Sequence, residues 1–93
     1  MENNYKELQE AADFLKVLAH PVRLCIVRGL LDKGSCNVGF MQDCLGMPQS
    51  TISQHLQKLR SVGIIEGERI GLEVIYKVKD KRVIDIIKII EEK

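Results

Sequence analysis

The run Gly46-Met47-Pro48, set between two stretches of helical periodicity, constrains this chain more than any other feature. Glycine and proline can end one helix and begin another within three residues, because proline presets φ and suits the first helical position. Downstream, Ile52, Leu56 and Leu59 are spaced four and three residues apart, which places them on one face of a helix over about 48–61. The opposite face carries Gln49, Ser50, Ser53, Gln54, Gln57 and Lys58. That face is polar yet nearly uncharged, and most of its side chains both donate and accept hydrogen bonds. Upstream, Val38, Met41 and Leu45 predict a short helix that buries all three. After Gly63 the pattern turns strand-like. Ile64-Ile65-Glu66-Gly67-Glu68-Arg69 and Val74-Ile75-Tyr76-Lys77-Val78 read as two strands, with Ile70-Gly71-Leu72-Glu73 at the hairpin tip.

The flanking segments are helical. Between Tyr5 and Leu18, residues Leu8, Ala11, Ala12, Leu15 and Leu18 have the spacing of one helical face. His20-Pro21 interrupts that run, since a residue before proline avoids helical dihedrals. A second, largely apolar helix follows and ends at Asp32-Lys33-Gly34-Ser35. The last helix, over about 80–92, contains Val83, Ile84, Ile86, Ile87, Ile89 and Ile90, which do not fit on one stripe. Two apolar sides cannot both be hidden in the core of so small a domain, so one is expected on the domain and the other on a second subunit. The resulting expectation is a mainly α protein with a small β-hairpin (α+β), in the order α-α-α-α-β-β-α. It is a single domain over 1–93, with a wing over about 64–78, and it dimerises through its first and last helices.

With 93 residues the chain has room for one domain, and 45% hydrophobic with 29% charged residues is ordinary for a globular protein. No apolar run approaches the ~20 residues that span a bilayer, and Met1-Glu2-Asn3-Asn4 does not open a leader sequence. A cytoplasmic protein with no membrane partner is expected. Cys25, Cys36 and Cys44 lack paired spacing, which fits a reducing compartment. The net charge of +1 is uninformative, but its distribution is not: no acid occurs between Gly46 and Ile65, where His55, Lys58 and Arg60 sit. The chain contains no Walker loop, HExxH or GxSxG, so no catalytic residue is assigned and an enzyme is not expected.

Two helices joined by a tight glycine-containing turn, the second with a polar outer face, make a helix-turn-helix. In that arrangement the second helix enters the major groove of DNA and presents its N-terminal residues to base edges. Glutamine can pair with adenine in a bidentate way, and serine and threonine can bond to bases or phosphates. The candidate DNA-binding residues are therefore Gln49, Ser50, Thr51, Ser53, Gln54, His55 and Lys58. Arg69, near the wing tip, can reach a phosphate or the minor groove. A winged-helix module that binds another protein is the alternative; an acidic or apolar recognition helix would favour it, and this one is neither.

His20-Pro21-Val22-Arg23-Leu24, the run Pro48 to Arg60, Gly63-Ile64-Ile65 and Val74-Ile75-Tyr76 together resemble the ArsR/SmtB family of bacterial repressors over most of the chain, roughly 11–78. The resemblance implies a homodimer on an inverted-repeat, double-stranded DNA operator, released when an inducer binds. It also implies that Gln49, Ser50, Ser53, Gln54 and His55 face DNA, while Arg23, Leu56 and Leu59 are framework positions. The family's metal sites are not intact here. Ser35-Cys36-Asn37-Val38-Gly39 has one thiol where one such site has a Cys-x-Cys pair, and the segment 80–93 lacks the histidine of another. No metal site is assigned, and no cofactor is required. The cysteines remain candidate sensing thiols for a thiol-reactive species or a thiophilic metal or metalloid. Cys36, near a helix N-terminus, is expected to have a lowered pKa. Cys44 lies about two helical turns further on, and Cys25 reads as a core residue unless it completes a site. A family member with no small-molecule inducer is the other alternative.

Overall fold

His20-Pro21 separates the first two helices of the computed structural model, which describes residues 5–92. These helices are α1 (Tyr5–Leu18) and α2 (Pro21–Lys33). His20 is extended, and its Nδ1 accepts a hydrogen bond from the Val22 N–H at 3.1 Å, which caps the start of α2. Helix α3 (Val38–Leu45) is capped by Asn37, whose side-chain oxygen accepts from the Phe40 N–H at 2.8 Å. It ends at Gly46, which is left-handed at φ 65° and donates its N–H to the Gln42 carbonyl at 2.8 Å. Helix α4 (Gln49–Ser61) follows. Pro48 stands at its N-cap, one place earlier than the first helical position expected for it.

Strands β1 (Ile65–Ile70) and β2 (Glu73–Val78) pair antiparallel, with Ile65 opposite Val78 and Ile70 opposite Glu73. Their two-residue loop begins with Gly71 at φ 66°, as a type II′ turn requires of its first central residue. A further pairing fastens this wing to the body. The Cys36 N–H donates to the Tyr76 carbonyl at 3.1 Å, and the Tyr76 N–H donates back at 2.9 Å.

The last helix, α5 (Arg82–Glu91), starts two residues later than the expected Asp80. Asp80 instead caps it: the carboxylate accepts from the Arg82 N–H at 3.0 Å and pairs with the Arg82 guanidinium at 2.7 Å. The same guanidinium lies 4.5 Å from the Phe14 ring centroid, tying α5 to α1.

Val27, Leu30, Ile52, Leu56, Leu59, Ile64, Ile65 and Val83 are fully buried and form the centre of one core. Within α3 only Met41 is fully buried, while Val38 and Leu45 are half-covered at the margin. Helix α1 divides its apolar residues between the core and the surface. Phe14 and Leu18 face the core, whereas Leu8 and Leu15 are 62% and 53% exposed. The spacing of Leu8, Ala11, Leu15 and Leu18 marks a face of which Leu18 and, in part, Ala11 meet this domain while Leu8 and Leu15 stay open. Helix α5 has the two-sided character expected of it: Val83 and Ile87 are buried, and Ile89 and Ile90 are 67% and 54% exposed. Consistent with such uncovered surface, the radius of gyration is 14.3 Å, against about 12.3 Å for a compact chain of this length. Among the described residues, no helix is long and apolar enough to cross a membrane.

Candidate nucleic-acid interface

Helix α4 is held by Ile52, Leu56 and Leu59, whose burial fixes which way every other side chain of the helix points. Gln49, Ser50, Ser53, Gln54, Gln57 and Lys58 are consequently exposed, and Thr51 is half-buried at the edge of that face. Among the described residues, no intrachain hydrogen bond occupies the side chains of Gln49, Ser50, Ser53, Gln54 or Gln57. The first turn of α4 has no side-chain cap. The Thr51 N–H donates to the Pro48 carbonyl at 3.1 Å, which leaves the Gln49 and Ser50 N–H groups open to an acceptor from outside, and a phosphate suits that position because the helix dipole is positive there.

The wing lies beside this face. Gln49 and Ser53 share a groove of about 330 Å³ with Leu72, Glu73 and Val74. The Asn37 Nδ2 donates to the Glu73 carboxylate at 3.2 Å, linking the start of α3 to the base of the wing tip. Arg69 is exposed on β1 opposite Val74. Glu66 and Lys77, directly opposite each other, form an exposed pair at 3.4 Å, of the kind that contributes little to stability. Leu72, at the extreme of the wing, is 97% exposed. The sequence places Leu72 within a four-residue hairpin tip, and the pairing of Ile70 with Glu73 narrows that tip to Gly71 and Leu72. Gln57 belongs to the same outward face as the candidate DNA-binding residues.

His55 does not join the outward set. Its Nδ1 accepts a hydrogen bond from the Arg23 Nε at 3.2 Å, and its ring centroid lies 4.7 Å from that of His20. Arg23 also donates from Nη1 to the Val17 carbonyl at 3.0 Å. The side chain expected to face DNA thus turns toward α2, where it helps hold α4 in place. Burial lowers the His55 pKa, and the charges of His20, Arg23 and Lys58 lower it further. The neutral imidazole that results is the form able to accept from Arg23.

The cysteines depart from expectation more sharply. Cys36 is buried, and burial pushes its thiol pKa up, with the Cys44 charge adding to the rise and Lys33 opposing it. Its position just before α3 does not activate it, because its backbone is paired with Tyr76 and its side chain is drawn inward. Cys25 is only half-buried, and Cys44 is exposed. Among the described residues, no group of three His, Cys, Asp or Glu side chains is placed to hold a metal ion.

Residues 18–68 match the family described as a helix-turn-helix domain. The chain is 41% identical over 86 residues to the transcriptional repressor PagR of Bacillus anthracis, covering 92% of this chain and 86% of that protein. The crystal structure of PagR superposes with a TM-score of 0.83 at 40% identity, covering 95% of this chain and all of that one (100%). The HTH-type transcriptional repressor SmtB of Mycobacterium tuberculosis is 40% identical over 80 residues, covering 86% of this chain and 58% of that protein. The solution structure of a homodimeric winged helix-turn-helix DNA-binding domain from Mycobacterium bovis matches with a TM-score of 0.83 at 28% identity, over 97% of this chain and 84% of that one. These relatives are transcriptional regulators rather than enzymes. Taken with the α3-turn-α4 unit and the wing that follows it, they show that this chain belongs to the ArsR/SmtB family of winged helix-turn-helix, DNA-binding transcriptional regulators.

Proposed function

We propose that this protein is a cytoplasmic repressor that binds an inverted-repeat operator as a homodimer, using Gln49, Ser50, Thr51, Ser53, Gln54 and Lys58 of α4 and Arg69 of the wing. The observation that carries this reading is the outer face of α4. It is rich in hydrogen-bonding side chains, clear of intrachain partners, and shares a groove with the wing. Amides and hydroxyls read base edges, whereas Lys58 and Arg69 suit the phosphate backbone. His55 supports the site from behind rather than touching DNA. The face is neither acidic nor apolar, so nothing about it favours a protein partner over a duplex.

The dimer reading rests on the outer faces of α1 and α5, where Leu8, Leu15, Ile89 and Ile90 are each more than half exposed. The homodimeric state of the Mycobacterium bovis relative supports it. A two-fold dimer places two copies of α4 about 34 Å apart, one turn of duplex. An inducer that shifts this spacing needs a coupling energy of only ~1–3 kcal/mol to weaken binding severalfold or more. The three cysteines are the candidate point of action. The absence of a three-ligand cluster among the described residues argues for a thiol-reactive species over a metal ion or metalloid.

The test is fluorescence anisotropy of the reduced protein on the duplex upstream of its own gene and on a scrambled duplex, at one fixed salt concentration. The upstream duplex is expected to bind on the order of a thousandfold more tightly. Equal affinity for both duplexes would sink the operator reading, and a monomer by sedimentation at the same concentration would sink the dimer.

A further inference from the structure

All three cysteines line one cavity of about 190 Å³ between α2 and α3. The rest of its wall is mostly carbon, supplied by Ile26, Phe40, Met41 and Leu45. The thiols are not grouped to hold one ion; what lies between them is space. An enclosed apolar cavity of ~150 Å³ holds benzene, so this open cleft has the size for a single six-membered ring.

A glycine forms part of the cavity wall. Gly29 lies within α2 and lines it, and nothing lies within 4 Å of where a Cβ would be placed. Glycine weakens a helix interior, and here neither a positive φ nor a close neighbour calls for it. Its effect on this side of α2 is to leave room. Arg28 and Asp32 supply the charged groups of the lining, and the Arg28 Nη1 is 3.0 Å from the Glu91 carboxylate of α5. Among the thiols, Cys44 is exposed at the wall while Cys36 is buried and anchored through its backbone.

We propose that this cavity seats a single-ring conjugated enone, which Cys44 captures by conjugate addition while Arg28 holds the carbonyl oxygen. The Cys44 Sγ bonds to the β carbon, and the C=C electron pair moves through the carbonyl to leave an enolate. The guanidinium of Arg28 stabilises that charge. The proton lost from the thiol ends on the α carbon, and the product is a saturated ketone joined by a thioether. No oxidant or reductant is needed. A carbonyl bound to Arg28 competes with Glu91 and loosens the link between α2 and α5, the helix assigned above to the second copy. This last consequence rests on the repressor reading; the capture itself does not.

The experiment follows the full reduced chain by intact-mass and peptide mass spectrometry with 2-cyclohexen-1-one, and with acrylamide as an enone-like acceptor that lacks a ring. Each rate is normalised to that of glutathione. Cys44 is expected to react first, with a preference for the ring compound on the order of tenfold above glutathione's. Gly29→Leu, which fills the cavity, is expected to erase the preference while leaving the acrylamide rate in place; Gly29→Ala, which favours the helix, is expected to reduce it. First reaction at Cys25 or Cys36, no preference for the ring, or a preference surviving in both glycine variants would overturn the site. Operator binding of the adduct is then measured by anisotropy, and a fall is expected. An adduct formed with unchanged operator affinity would overturn the coupling through Arg28 and Glu91. Failure of the unmodified protein to bind the operator would instead overturn the repressor reading.

Discussion

Helices α4 and α5 each press an apolar stripe into the same core, Ile52, Leu56 and Leu59 for one and Val83 and Ile87 for the other. Their outer faces differ in kind. That of α4 presents amides and hydroxyls with free hydrogen-bonding capacity, while that of α5 presents Ile89 and Ile90. Water satisfies the first face at little cost, so it can wait for a duplex that offers more specific partners. Water penalises the second, so that face is stabilised by a surface of its own kind. Inner stripes set the fold, and outer faces set what the fold meets.

The most severe disruption should come from the shared inner side. Leu56→Ala, at a fully buried site, is expected to destabilise the domain by about 3 kcal/mol in urea titration and to remove DNA binding with it. A loss below about 1 kcal/mol would mean that α4 is not anchored as described. Next comes the outer face of α5. Ile89→Glu is expected to weaken dimerisation by about 2 kcal/mol, read by sedimentation equilibrium, with the helical circular-dichroism signal retained. An unchanged dimer would assign the interface elsewhere.

The outer face of α4 follows. Gln54→Ala is expected to lose about 1–2 kcal/mol of operator binding and to relax base preference. Lys58→Ala should weaken specific and scrambled duplexes alike and flatten the salt dependence. If the two substitutions had the same profile, the division of α4 into base-reading and phosphate-contacting side chains would fail.

The smallest effect expected is on pH dependence, through His55. Its pKa is lowered in the fold, chiefly by burial, so the unfolded chain takes up the proton more readily. The contribution of the neutral ring is therefore fully present above about pH 6.5 and declines as pH falls toward the lower folded value. The urea midpoint should drop between about pH 7.5 and about pH 5.5, and the drop should be smaller in His55→Gln. An equal slope in both proteins would remove His55 as its source.

Much of this is legible in the sequence. The spacing of Ile52, Leu56 and Leu59 set the orientation of α4, because only one side of a helix carries that spacing. Gly46-Met47-Pro48 placed the turn, and Gly71 between two alternating runs placed the hairpin. Other features are not settled by the sequence, for an identifiable reason. Leu8 and Leu15 are apolar at helical spacing, and periodicity reports that a face exists without saying which neighbour covers it. His55 sits among DNA-facing residues in sequence but bonds to Arg23, thirty-two positions away. Cys36 occupies a place that would activate a thiol at an open helix start, yet it is buried beside its pairing with Tyr76, and that burial raises its pKa.

The sequence by itself determined the order of elements, the inner stripe of each core helix and the polar character of the recognition face. Those properties depend on local dihedral preference and on side-chain period, both carried by near neighbours in the chain. Only the tertiary structure decided which apolar faces stay uncovered, which histidine is held by an arginine, and that Cys25, Cys36 and Cys44 surround one cavity beside Gly29. These depend on distances between residues far apart along the chain, and such distances are set by how the helices pack rather than by any one segment.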